Sequence, residues 1–347
     1  MRRRIPSLAA AVVLAAFVLP LASAAEKSFS WQLTPTGSTA RLRGLSAVSA
    51  SVAWASGSLG TVLRTVDAGQ TWQSVGPPGT SALQFRDVEA FDADHAVILS
   101  LGNNIDDFRV YVTSDGGQHW ALTFVNDHPD AFYDCMAFFD RKHGLAVSDP
   151  VDGRFRIIVT SDGGLTWDLA TGEMPPALPG EFAFAASGEC LVTAGGRDAW
   201  LGTGGGAEAR VFHSSDRGEN WEVSTTPIHS GPSAGIFALA FRDPRHGLAV
   251  GGDFAVPNLA PDALALTSDG GSSWDLVSDA PNEYRSGASW MTGRVAIVVG
   301  PTGSDVTVDQ GDTWQGFDDG SFDTVDCAGG HVCWASGEQG RVAYLVD

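Results

Sequence analysis

Tyr284 stands between Glu283 and Arg285, and Glu181 and Asp149 are further carboxylates of the same chain. A tyrosine activated by a carboxylate can attack a sugar carbon, and a second carboxyl can protonate the leaving group. Arginine can hold a substrate carboxylate through its planar fork. Tyr284, Glu181, Asp149 and Arg285 are therefore the residues from which a hydrolase of acidic glycans would be built. Metal chemistry has less support. Four of the eight histidines, His95, His143, His246 and His331, fall in the same kind of short turn, and no two histidines have the close spacing of a structural zinc site. No metal and no cofactor are expected.

The elements that must position these side chains show themselves as a repeat. Thr65-Val-Asp67-Ala-Gly69-Gln-Thr71-Trp72 recurs with the same Asp, Gly and Trp spacing around Asp115, Asp162, Asp216, Asp269 and Asp309. This is hairpin-turn chemistry: Asp accepts bonds from the turn's own amides, Gly takes positive φ, and Trp buries a large ring. An alternating strand precedes each copy, as in Arg109–Thr113, and a further hairpin lies upstream, as in Met136–Val147.

The six turns resemble the Asp-box (BNR) repeats of sialidase-like β-propellers. That likeness implies an all-β, seven-bladed propeller in which each box joins the third and fourth strands of a blade. The tail from Phe322 supplies three strands and no box, so the mature N-terminus around Trp31 is expected to close the last blade. Residues 25–347 then form one domain. Beyond the boxes, the Asp-x-x-His-Gly-x-Ala-Val turns and the segments Gly300–Asp305 and Ala335–Arg341 resemble the photosystem II stability/assembly factor family. The likeness implies an exported, non-enzymatic protein that binds other proteins during assembly of a membrane complex. Against the hydrolase alternative, the Arg-Ile-Pro-type motif of sialidases is missing, and Arg41-Leu42-Arg43 replaces it poorly.

Loops at one end of a propeller converge on the channel. The loops running into each first strand carry Arg41, Arg43, Asp87, Asp130, Asp134, Glu181, Ser233, Tyr284, Arg285 and Asp323. Those joining second and third strands carry Asp149, Asp253, Asp305, Glu338 and Arg341. A ligand-binding rim is expected from Asp130, Asp149, Glu181, Ser233, Asp253, Tyr284, Arg285, Asp305, Glu338 and Arg341, with Tyr284, Arg285, Asp253 and Glu181 in one shared pocket. Arg109, Arg156, Arg210 and Arg341 recur at the start of third strands, where pairing with acidic loops of other blades is the expected use.

Residues 1–24 read as a secretory signal: Arg2, Arg3 and Arg4, then an apolar run from Leu8 to Leu19, then Ala22-Ser23-Ala24 as cleavage site. The expected location is periplasmic or secreted. No later apolar run reaches membrane length, so a monomer without stable membrane insertion is expected, with protein partners in the cell envelope. The net charge of −20 argues against nucleic acid, and losing three arginines with the leader deepens it. Cys327 and Cys333 flank one tight turn and are expected to form a disulfide. Cys135 and Cys190 are expected at opposite ends of their blades, buried and unbridged.

Overall fold

The computed structural model describes residues 28–346, so the predicted leader lies outside the described residues. The chain forms seven four-stranded antiparallel sheets arranged as a seven-bladed β-propeller. Blade 1 begins with Leu42–Ala47, blade 2 with Gln84–Ala90, blade 3 with Tyr133–Phe138 and blade 4 with Leu191–Ala194. Blades 5, 6 and 7 begin with Ala234–Phe241, Gly287–Trp290 and Thr324–Cys327. These first strands pack on one another around the axis, and fourth strands, some only two residues long, face outward.

Residue size follows that geometry. Inner strands are buried on both faces and carry Ala, Ser and Gly where blades converge. A Cβ on Gly44 would lie 3.0 Å from the Asp87 backbone of the next blade. Between blades the packing is apolar: seven hydrophobic clusters each draw on two adjacent blades, as where Leu145 and Phe155 of blade 3 meet Leu201 and Phe212 of blade 4. Each cluster removes several large side chains from water, worth about 1.5–3 kcal/mol apiece. The ring closes as expected. Ser30–Leu33 pairs antiparallel with Val342–Val346, with Trp31 opposite Leu345, so blade 7 is built from both ends of the described chain.

The six repeated turns share one hydrogen-bond pattern. In blade 4, Asp216 Oδ1 accepts the Asn220 amide at 2.9 Å and the Ser214 hydroxyl at 2.9 Å, while Ser214 Oγ accepts the Gly218 amide at 2.8 Å. Gly218 sits at φ 87°, a conformation that favours glycine. The Asp-x-x-His turns lie at the same end of the propeller, since Gly163 N donates to Lys142 O and Gly270 N to Arg245 O. There Asp140 accepts from the His143 amide at 3.0 Å and contacts its ring, so these histidines cap turns.

Cys327 joins Cys333 across the blade 7 hairpin. The expectation for the other two cysteines is overturned: Cys135 is bonded to Cys190. Both stand at the start of the innermost strands of adjacent blades, with Cα atoms 6.1 Å apart. The error came from the path of residues 182–190, which reach Cys190 from the channel axis rather than around the outside of blade 4.

Candidate functional site

Residues 182–190 cross the channel and plug it. Phe182 pairs with Gly204 at the top of blade 4. The Ala185 carbonyl then accepts from Arg86 of blade 2. Gly188 lies against Asp87, where a Cβ would come within 2.6 Å of Oδ1. Glu189 reaches blades 6 and 7: its carboxylate accepts the Ala288 amide and, at 2.6 Å, the Thr324 hydroxyl. The disulfide at Cys190 fixes the end of the plug to blade 3. The channel is thereby divided, with residues 182–186 lining an upper cavity and 187–189 a lower one.

The upper cavity, about 600 Å³, opens at the end opposite the repeated turns. Its walls are aromatic. Phe184 of the plug stacks on Phe237 at 3.8 Å, and Phe237 meets Tyr284 edge-on at 4.7 Å. Phe254, from the long blade 5 loop, is half exposed at the lip, and Val256 and Leu259 of that loop also face solvent.

Three arginines supply the polar side. Arg41 is held by Asp323, with Nε to Oδ2 at 2.8 Å, and by Glu338 at 3.2 Å. Arg86 donates to Gln84 and Ala185, neither of which carries a charge. Arg43 lines the cavity with its Nε buried and unbonded. Burial first, then Arg41, lowers the Arg43 pKa, and burial with Arg43 and Arg41 pushes Arg86 down to about 10. Beside them Asp134 and Asp149 line the same wall, with Asp134 Oδ2 buried and unbonded and Asp149 Oδ1 accepting the Ala183 amide at 2.9 Å. Burial raises Asp149 to about 6, and burial together with Asp149 raises Asp134 well above the carboxylate range. The pair therefore holds a proton near neutral pH. Arg43 and Arg86, neither bonded to a carboxylate, offer donors to an anionic group, and the rings offer surface to apolar ones.

The expected shared pocket is not formed. Of Tyr284, Arg285, Asp253 and Glu181, Tyr284 alone lines the cavity. Glu181 is fully buried against Arg210, whose Nε donates to Oε1 at 2.9 Å, and Thr203 Oγ1 donates to the same oxygen at 2.6 Å. Arg285 is buried against Asp305 at 2.7 Å and meets Glu283 at 3.3 Å. Asp253 Oδ1 accepts the Ala255 amide at 2.8 Å, ordering its own loop. Asp149 and Glu338 do line the cavity, and Asp130 is exposed outside it. The Ser233 carbonyl accepts the Phe254 amide, and the Arg341 guanidinium lies 4.6 Å from the Phe322 ring centre.

The Tyr284 phenol is buried, burial first and then Asp323 raise its pKa, and no glutamate is bonded to it. The expected pairing of Tyr284 with a glutamate is thus not assembled, and the carboxylate that acts on it is Asp323. Two of the third-strand arginines pair within their own blade, Arg210 with Glu181 and Arg109 with Asp106 and Asp107, correcting the expectation of pairing between blades. Asp87 is also displaced from the rim, since it sits within an inner strand and faces the lower cavity.

No protein family model matches the chain, and no curated protein matches it. Solved structures do share its fold. "YCF48 bound to D1 peptide" superposes with a TM-score of 0.67 at 16% identity, covering 94% of this chain and 99% of that one. YCF48 from Cyanidioschyzon merolae gives 0.68 at 14% identity, covering 90% and 98%. The GH74 enzyme of Niastella koreensis gives 0.63 at 13% identity, and this chain covers 90% of its own length against 53% of that enzyme. At these identities the likeness is one of fold, and by fold the chain is a seven-bladed β-propeller of the kind seen in YCF48 and in GH74 enzymes.

Proposed function

We propose that this protein is an exported, non-enzymatic propeller that binds an extended segment of a partner protein at its upper cavity, as an assembly or stability factor for an envelope or membrane complex. One observation carries the reading: Arg43, half-buried in the cavity wall beside Arg41 and Arg86, has a buried Nε with no acceptor. A guanidinium held there without an anion suits a carboxylate brought by a partner, and the surrounding rings suit that partner's apolar side chains. The peptide-bound YCF48 structure supports a propeller of this shape receiving a polypeptide segment.

Glycoside hydrolysis is the alternative, and the fold likeness to GH74 enzymes is compatible with it. Two-carboxylate hydrolysis places its groups about 5–5.5 Å or about 6.5–9.5 Å apart. The cavity sets Asp134 and Asp149 side by side, but Tyr284 has no glutamate bonded to it and Glu181 is held by Arg210, so the residues that a tyrosine-dependent hydrolase would need are not gathered there.

The test is a pull-down from an envelope fraction, with wild type and Arg43→Met as baits, run beside a panel of glycosides. The expected result is a specific protein partner retained by wild type and lost by Arg43→Met, whose thermal stability is unchanged. Turnover of a glycoside that Tyr284→Phe abolishes, with no partner retained, would overturn the proposal.

A further inference from the structure

Below the plug, the lower cavity has a volume of about 830 Å³ and extends to the exposed turns of blades 5 and 6. Its deep end is lined by Asp87 and Glu89 of blade 2, Glu189 of the plug and Asp326 of blade 7. Three of these carboxylates tie the ring together. Asp87 accepts the Met136 amide of blade 3 at 2.7 Å, Asp326 accepts the Ala47 amide of blade 1 at 2.7 Å, and Glu189 holds blades 6 and 7.

Glu89 does none of this. It lies two residues beyond Asp87, on the same face of the inner strand. Protein surrounds it, the surface it keeps faces the cavity, and no donor or cation of the described residues bonds to it. Burial first, then Asp87 and Asp326 beside it, push the Glu89 carboxyl toward its protonated form, so an ammonium partner would be what lets it ionise. An unpaired carboxyl in such a place is costly for the fold alone, and its missing complement is a positive hydrogen-bond donor. The rest of the wall narrows the choice. Phe138 and Leu239 give an apolar side suited to methylene groups, and toward the outer end Arg242 lies over the Trp290 ring while donating to Gly293 and Gln310, so the acidic end is the deep one. Among the described residues no group of His, Cys, Asp and Glu is placed to hold a metal ion. The volume greatly exceeds that of a single ammonium group.

We propose that the lower cavity binds a linear aliphatic polyamine, with one ammonium group donating to Glu89 and the methylene chain lying along Phe138 and Leu239. The site is separated by the plug from the partner-binding cavity, so it stands or falls independently of that reading.

The test is calorimetric titration of the full chain with spermidine at pH 7.5 and low salt, with melting curves in parallel. Saturable binding and a raised Tm are expected. Glu89→Gln should weaken binding at least about tenfold while melting, without spermidine, no lower than wild type. Glu89→Asp, which keeps the charge but withdraws it, should fall between the two. Arg43→Met should bind spermidine as wild type does. No saturable binding, equal affinity in Glu89→Gln, or an equal rise in Tm with magnesium ions would each overturn the proposal. So would binding of a lysine-rich peptide through Glu89 where spermidine does not bind.

Discussion

Replacing Glu181 by alanine separates a structural from a catalytic role for this residue. Its carboxylate is fully buried and accepts from Arg210 Nε at 2.9 Å, from the Thr203 hydroxyl at 2.6 Å and from the Leu178 amide at 2.7 Å, while Arg210 Nη2 contacts its second oxygen. The variant leaves the nearly buried Arg210 guanidinium without its anion and the Leu178 amide without an acceptor, while the Thr203 hydroxyl keeps only the Arg210 carbonyl at 3.1 Å. Breaking a buried pair by removing one partner costs about 3–5 kcal/mol. With an unfolding entropy of about 2 cal/mol/K per residue, a domain of this length loses about 5–7 °C in Tm.

Differential scanning calorimetry at pH 7 reads this directly. The double variant Glu181→Leu/Arg210→Met should recover most of the loss, because it removes both buried charges together. A Glu181→Ala protein melting within 1 °C of wild type, or a double variant no better than the single, would refute the assignment of Glu181 to the scaffold.

Three further outcomes are expected. Asp216→Ala removes the acceptor of Asn220 and Ser214 in one repeated turn and should lower stability by about 1–2 kcal/mol in chemical denaturation, less than Glu181→Ala does. Removing the Cys135–Cys190 bridge, which spans 55 residues, should cost about 4 kcal/mol by loop entropy, against about 2 for Cys327–Cys333, which spans 6, measured by denaturation of paired Cys→Ala variants. Stability should fall as pH rises from about 4 to about 8. Asp149 and Asp87, raised to about 6 and about 8, keep protons in the folded state that the unfolded chain has already released. Melting temperatures that rise steadily from pH 5 to pH 8 would contradict this sign.

The architecture was legible because it rests on local chemistry repeated in each blade. Asp, Gly and Trp at fixed offsets specify a turn wherever they occur, and the unboxed tail together with Trp31 announced how the ring closes. The site was not legible for a matching reason. Glu181 and Tyr284 look alike in sequence, as polar residues of incoming loops, yet one is locked to Arg210 and the other faces a cavity. What decides between them is the path of residues 182–190, which hydrophobic alternation and turn signals do not distinguish from a segment that skirts the axis. Its small residues, Ala183, Ala185, Ala186, Ser187 and Gly188, were the available signal, since only such side chains pass through a space bounded by seven inner strands.

The plug also explains how a strongly acidic chain presents opposite chemistry at its two ends. An open channel would place the Arg86 guanidinium and the Asp87 carboxylate, adjacent in sequence, in one shared aqueous space. Instead a bulge leaves Arg86 as the extra residue between the pairs Phe85–Ser100 and Asp87–Leu99, with Arg86 lining the upper cavity and Asp87 the lower. The plug then holds each in place, Ala185 accepting from Arg86 and Gly188 lying against Asp87. Protein between them keeps the Arg86 guanidinium and the deep carboxylates of the lower cavity from pairing, although Arg86 and Asp87 are neighbours in the chain. Substituting Gly188 by alanine would drive a Cβ to 2.6 Å from Asp87 Oδ1 at a left-handed backbone position, so either the plug or the carboxylate must shift. Because the same segment carries Phe184 above and Glu189 below, such a shift reaches both cavities at once. A Gly188→Ala protein should therefore change ligand affinity at both ends while its repeated turns and blade cores stay intact.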